Sequence, residues 1–428
     1  MAVQATGSKI VEALFEAFPP KSTAVLKQEF YGPHFALFAS DVVNQQSSVP
    51  DLTHHLEKAP DKKEVALDYI RQMLNKGIEK SLFGFNYFQE LFAEYVANCS
   101  PNDVRAMAPN VVDHSIHLLS SKPGTRVVAA MASYGTAKDR KRIQKSLKGF
   151  TRSGLLHNDA YLAVLRLVQV TDDTVSTQKN IFNELLNLPD TEEESGKPPL
   201  LEIALDDKAC KLFLMLLVSD ETSWKKIFDP YELAALEPNP TVTEGGEEVP
   251  TSKKNSETRR QELLQHLQKP LIEMCVTNTR ELLFSLSGSA LIREIYHTFH
   301  PEGLVASVVD ICASELEEDG DEGDLTLFED RVGHLAVKNL LLSDLEKDEK
   351  LKEGSCFAVE IFKKLKSELM DVAKSNRGAF VLSALCKVPS VRDDVIKILR
   401  KQTAKIKELA DKAEHRAGYE ALLKEIEK

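Results

Sequence analysis

The sequence predicts an all-α superhelix, a solenoid of degenerate helical repeats, and three observations predict it. The first is a recurring phrase, Gly-x-x-Φ-Φ-x-x-Φ with Φ apolar. It is written out at Gly7-Ser8-Lys9-Ile10-Val11-Glu12-Ala13-Leu14, at Gly84-Phe85-Asn86-Tyr87-Phe88-Gln89-Glu90-Leu91 and at Gly288-Ser289-Ala290-Leu291-Ile292-Arg293-Glu294-Ile295. It returns at Gly124, Ala160, Ala209, Gly333, Gly378 and Gly418. Gly84, Gly124 and Ala160 are 40 and 36 residues apart, and Gly288, Gly333, Gly378 and Gly418 are 45, 45 and 40 apart. A period of roughly 35–45 residues marks a stacked helical array. The second observation is that the helices are short and separately punctuated, so neighbours must cover their apolar faces. The third is that no stretch alternates with period two long enough to make a strand.

A 428-residue chain would ordinarily divide into two or three globular domains. A solenoid escapes that expectation because each unit packs only on its neighbours. The boundary falls near residue 170. Residues 1–170 carry the better-formed repeats and 171–428 divergent ones, with acidic insertions near 189–199, 238–255 and 315–324. The longest apolar run, Leu212 to Val218, is far short of a membrane span, and the N-terminus has no basic-then-apolar secretion signal. Six single cysteines without a C-x-x-C predict reduced core thiols.

In chain order, the sequence opens inside a repeat. The helix due before Gly7 has no room, so the first repeat is incomplete and the natural chain is expected to start further upstream. Glu29-Phe30-Tyr31-Gly32 closes that unit, and residues 42–50 read as a polar loop. Val65, Ala66, Ile70 and Leu74 mark one helical face. Ser100-Pro101-Asn102-Asp103 combines a cap, a first-position proline and a first-turn acid, the signature of a helix start. Gly124 after Pro123 punctuates the chain ahead of the helix carrying Val127, Val128 and Met131. Thr136 with Asp139 three residues on is a capping box for the next helix. Beyond Asp172-Asp173-Thr174 the repeats loosen. The Pro/Gly/Glu-rich stretch 238–255 is expected to be disordered, helices resume at Ser256, and 401–428 reads as a capping helical pair.

No catalytic chemistry is expected. There is no Gly-x-x-x-x-Gly-Lys phosphate loop, no Gly-x-Ser-x-Gly elbow and no His-Glu-x-x-His. His114-x-x-His117 and His297-x-x-His300 have helical spacing but no third ligand at a recognised distance, so neither a metal nor a cofactor is expected. Asp172-Asp173 is explained by helix capping. The formal net charge of −12 works against binding to phosphates, but residues 122–168 hold ten Lys/Arg against Asp139 and Asp159. Within this block Lys138, Lys141, Arg142 and Lys145 fall on one helical face, flanked by Arg140, Lys148 and Arg152. Such a row can follow a phosphate backbone; a solvated outer helix face explains it equally well.

Gly7-Ser8-Lys9-Ile10-Val11-Glu12, Gly124-Thr125-Arg126-Val127-Val128 and Ala137-Lys138-Asp139-Arg140-Lys141 resemble Pumilio-type (PUF) repeats. Lys138 to Lys148, then Val170-Thr171-Asp172-Asp173-Thr174-Val175 and Arg259-Arg260-Gln261-Glu262-Leu263-Leu264, resemble the Puf-A-like nucleolar branch with its C-terminal Puf-like (CPL) region. The resemblance implies a Pumilio/armadillo-like solenoid in which two or three side chains per repeat read one splayed base. Carried over, Ser8 and Glu12 would read a base edge with Lys9 stacking, and Asn86 and Gln89 would serve the next repeat. The later triplets, Thr125-Arg126-Ala129 and Tyr161-Leu162-Leu165, have lost most of the set. Consecutive readers are missing, so the resemblance implies sequence-tolerant binding of RNA (pre-rRNA or mRNA), to which Arg126 and the Lys138–Arg152 cations would contribute. It further implies a monomer in the nucleus and nucleolus, partnered by pre-ribosomal proteins, acting in large ribosomal subunit (60S) maturation and translational repression. In such repeats the helix after the glycine lines the binding face, whereas the Lys138–Lys148 stripe lies on the helix before it. The alternative is a HEAT/armadillo-like protein scaffold without RNA contact, favoured by the acidic balance.

Overall fold

Three of the repeat helices share one local device, a serine cap followed by a glycine inside the first helical turn. The computed structural model describes residues 1–35, 51–187, 197–236, 239–317, 325–345 and 356–428. Ser121 Oγ accepts the Gly124 amide at 3.1 Å, Ser285 Oγ that of Gly288 at 3.3 Å, and Ser375 Oγ that of Gly378 at 2.9 Å. The helices concerned are Lys122–Tyr134, Leu286–Phe299 and Asn376–Leu385. Gly124 therefore lies within its helix, not ahead of it as the Pro-Gly pair suggested. The reason is close approach. A Cβ on Gly124 would sit 1.9 Å from the Leu118 carbonyl oxygen, and one on Gly378 1.8 Å from that of Val372. Glycine lets the start of one helix rest directly on the end of the preceding turn.

The chain forms two compact units, Met1–Leu188 with Lys225–Leu263, and Pro189–Trp224 with Leu264–Lys428. In the first, the helices Ala5–Ala17, Asn86–Asn98, Lys122–Tyr134 and Tyr161–Val170 pack in succession, each on the next. In the second, Lys211–Leu217, Leu286–Phe299, Gly333–Ser343, Asn376–Leu385 and Ala417–Glu427 do the same. A second set of helices backs each row, as Pro101–Val111 backs Lys122–Tyr134. The fold is an all-α repeat. Ile70 and Leu74 are core residues, as are Val104, Met107, Ala108 and Val111, but Val65 faces solvent. Ser100 caps the helix Pro101–Val111 as expected, and Asp103 completes a capping box there.

One segment departs from the all-helical reading. Residues Thr241–Glu244 and Glu247–Pro250 form an antiparallel hairpin where disorder was expected. Gly245 and Gly246 have φ of +62° and +92°, and positive φ at both central positions is what a type I′ turn requires. The hairpin is anchored to the first unit. The Asn102 side-chain amide donates to Thr243 O at 2.7 Å and accepts from Thr243 N at 2.8 Å, and Arg105 pairs with Glu244 at 2.7 Å. Acidic composition pointed to disorder, but these long-range contacts overrode it. Glu315 likewise lies in a helix, Glu302–Glu317, buried against Arg280 at 2.8 Å. Residues 42–50, most of 189–199 and 318–324 lie outside the described residues.

Cys210, Cys275, Cys312 and Cys386 are buried and free. Burial pushes the Cys275 and Cys386 thiols up to about 12 and raises those of Cys210 and Cys312 as well. An unfolded chain releases these protons from about pH 9, whereas the folded chain holds them. Stability is therefore complete below pH 9 and declines as pH rises toward 12, each thiol contributing up to about 1.4 kcal/mol per pH unit. The melting temperature should fall between pH 8 and pH 10.5, and less so in the Cys275→Ala, Cys386→Ala double variant. Equal declines in the two proteins would show that other groups set the alkaline limit.

Candidate nucleic-acid interface

The orientation of the basic helix, Ala137–Ser146, is set by its buried side. Thr136 Oγ1 accepts the Asp139 amide at 3.3 Å while the Asp139 carboxylate accepts the Thr136 amide at 2.9 Å, a complete capping box. Ile143 is in the core, and the buried Gln144 donates to Thr177 Oγ1 at 2.9 Å and accepts from Ser176 Oγ at 2.8 Å. With that face fixed, Lys138, Lys141 and Lys145 project into solvent, and Lys148 follows just beyond the helix end. None of the four has an ion-pair partner among the described residues.

The arginines of the block behave differently. Arg142 is half-buried and makes a fork-on-carboxylate pair with Asp113, at 2.9 Å from Nε and 2.5 Å from Nη2. That pairing holds the Asp113 carboxyl below its ordinary range. Arg142 is thus engaged by Asp113, unlike the lysines of the same face. Arg140 is fully buried; its guanidinium donates to the carbonyls of Ala132 (2.7 Å), Ser133 (3.0 Å) and Thr251 (3.2 Å) and to Thr251 Oγ1 (2.7 Å). Burial lowers its pKa to about 10. Arg152 is half-buried on the helix Thr151–Leu156. Beside the basic helix lies a cleft of about 280 Å³ lined by Lys138, Lys141, Gln144, Asp172 and Asp173. Asp172 is held there by Arg259 at 3.2 Å and by the amides of Lys253 and Lys254, and Asp173 caps the turn at Ser176.

On the glycine-led row, three expected base readers have other tasks. Ser8 is buried and its hydroxyl donates to Ala5 O at 3.2 Å. The Glu12 carboxylate accepts the amides of Asn86 at 2.8 Å and Tyr87 at 3.2 Å, capping the next glycine-led helix. Gln89 is wholly buried, donating to Phe83 O at 2.6 Å and His117 O at 3.1 Å and accepting from Ser121 Oγ. Glu12 and Gln89 thus join one repeat to the next, while Ser8 is tied to its own helix. Lys9, Asn86 and Arg126, each two residues after its repeat glycine, remain exposed. The Arg126 guanidinium lies 4.8 Å from the Tyr231 ring centroid and donates to its hydroxyl at 3.2 Å, with Lys122 Nζ 4.3 Å from the same ring. Nothing in the sequence signalled Tyr231 as a neighbour, because it lies in a distant insertion. The structure therefore does not gather the expected residues into one site. Four lysines lie along the basic helix, and three polar positions lie on the glycine-led row.

Among the described residues no group of three or more His, Cys, Asp or Glu side chains could hold a metal, and no helix is long and apolar enough to cross a membrane. His114 stacks on Phe83 with centroids 4.4 Å apart. Tyr161 is buried with its hydroxyl on Glu232.

Residues 206–353 match the CPL (NUC119) domain. Pumilio homolog 3 of Mus musculus is 26% identical over 365 residues, which is 84% of this chain and 52% of that protein. The chain is similar to the Puf-A-like Pumilio proteins over most of its length. It spans about half the length of the Pumilio relatives it matches. The crystal structure of human Puf-A superposes with a TM-score of 0.77 at 23% identity, covering 98% of this chain and 76% of that one. Human Puf-A in complex with DNA gives a TM-score of 0.76 at 22% identity, covering 100% and 77%. The CPL match includes the phrase Gln261-Glu262-Leu263-Leu264 but not Asp172-Asp173-Thr174-Val175.

Proposed function

We propose that this Puf-A-like chain binds RNA through the basic helix, with little regard for sequence. The observation that carries the proposal is the contrast between two sets of residues. Lys138, Lys141, Lys145 and Lys148 are exposed and unpaired among the described residues, whereas Ser8 is buried against its own helix and Glu12 and Gln89 are buried as joints between repeats. A row of cations without base-edge readers favours phosphate contacts, which position a strand without specifying it. That human Puf-A has been crystallised with DNA supports a nucleic-acid partner for this relative. Likeness to the Puf-A-like Pumilio proteins supports a finer reading: a nucleolar factor that holds pre-rRNA during large ribosomal subunit maturation beside pre-ribosomal proteins, and represses bound transcripts.

The test is salt dependence. Each phosphate contact contributes about 0.7 to the log–log slope for a single strand, so the variant Lys138→Glu, Lys141→Glu, Lys145→Glu should lower the slope by about 2 and weaken binding to all sequences alike. An unchanged slope would remove the helix from the interface. The net charge of −12 favours the second reading, a protein-binding helical scaffold. On that reading the full chain would show no salt-dependent RNA affinity at all.

A further inference from the structure

The turn after the basic helix is held on both sides of a solvent-facing aromatic ring. The Glu184 carboxylate accepts the backbone amides of Gly149 at 3.0 Å and Thr151 at 2.8 Å, and the Phe150 amide donates to Leu147 O at 2.8 Å. Gly149 has φ of +84°, a left-handed conformation that glycine adopts without steric cost. The backbone is thus fixed before, at and after Phe150, yet Phe150 is 52% exposed. A large apolar ring displayed from an immobilised turn is pre-organised for a partner, because the ordering cost is already met. Its surroundings indicate which partner. Exposed Lys145 and Lys148 precede the ring on the basic helix and its end. Chain geometry keeps the Cα atoms of Lys148 and Phe150 within about 7 Å. Cations beside a flat apolar ring match the two halves of a nucleotide, its phosphate and its base.

We propose that Phe150 stacks an unpaired base of a single-stranded RNA whose phosphates run along Lys141, Lys145 and Lys148. This rests on the reading of the basic helix as the nucleic-acid surface. In a duplex the bases stack on one another and are out of reach, so the ring makes the surface favour single strands. The experiment uses the full chain, a labelled single-stranded RNA and the same strand annealed to its complement. Phe150→Ala should weaken binding to the single strand about fivefold, the low end for loss of a stacked aromatic, and leave duplex binding unchanged. Phe150→Trp should restore single-strand binding. Equal weakening on both RNAs, or none on either, overturns the proposal; no change on either leaves the ring to a protein partner. A Lys141→Glu, Lys145→Glu variant separates the two ideas. If it weakens both RNAs while Phe150→Ala weakens neither, only the stacking role fails. If it weakens neither while Phe150→Ala selectively weakens the single strand, the stacking stands and the lysine stripe falls.

Discussion

Replacing Arg140 by methionine is expected to destabilise the first unit by about 3 kcal/mol and to free the hairpin segment for proteolysis. Methionine keeps most of the aliphatic bulk, so the cost is not a cavity. It comes from buried acceptors left without donors. The guanidinium serves the carbonyls of Ala132, Ser133 and Thr251, and only Ser133 O keeps a second donor, the Thr251 hydroxyl at 2.6 Å. An unsatisfied buried acceptor costs about 1–3 kcal/mol. Lysine should rescue only part of the loss, because one ammonium cannot reproduce a planar fork reaching two segments. Urea denaturation gives the magnitude, and protease cleavage within 241–255 reports release of the hairpin. A variant with the parental midpoint and the parental cleavage rate would show that Thr251 is held by other means.

Gly124→Ala should cost about 2–3 kcal/mol, although alanine is the better helix former by about 1 kcal/mol. The added Cβ would meet the Leu118 carbonyl oxygen at 1.9 Å and Gln89 Oε1 at 2.8 Å. The first is backbone and cannot turn aside, and the second belongs to a side chain whose amide already ties three segments together. Gly84 occupies the same place in the repeat phrase but precedes its helix, and nothing lies within 4 Å of a Cβ built there. Gly84→Ala should therefore leave the thermal midpoint within a degree or two of the parent. Comparable losses at both positions would mean that backbone conformation, not close approach, selects glycine in these repeats.

That contrast shows how far the sequence could be read. The phrase Gly-x-x-Φ-Φ located the repeat helices because apolar periodicity reports burial directly. It could not distinguish Gly84 from Gly124, since the difference lies in a carbonyl on the neighbouring turn. The capping boxes at Ser100 and Thr136 were legible because every participating atom lies within four residues. The basic block was legible only as a count of charges. Arg140 and Arg142 add to that count as much as Lys141 does, but one is folded inward onto Thr251 and the other onto Asp113. Both partners lie far away in the chain, and local sequence carries no mark of them. The hairpin was missed for the opposite reason. Its Gly-Gly turn signal is local and present, but the acidic composition around it also fits a disordered segment.

The anchoring of Thr243 by Asn102, 141 residues away in sequence, constrains how the protein can be made as well as how it stands. During synthesis the nascent first unit emerges from the ribosome without its closing strand pair. It must wait while the intervening residues of the other unit are translated before that pair arrives. An expression boundary drawn after residue 188 would leave Asn102 and Arg140 without these partners, so a fragment of the first unit that keeps both contacts has to extend past Thr251.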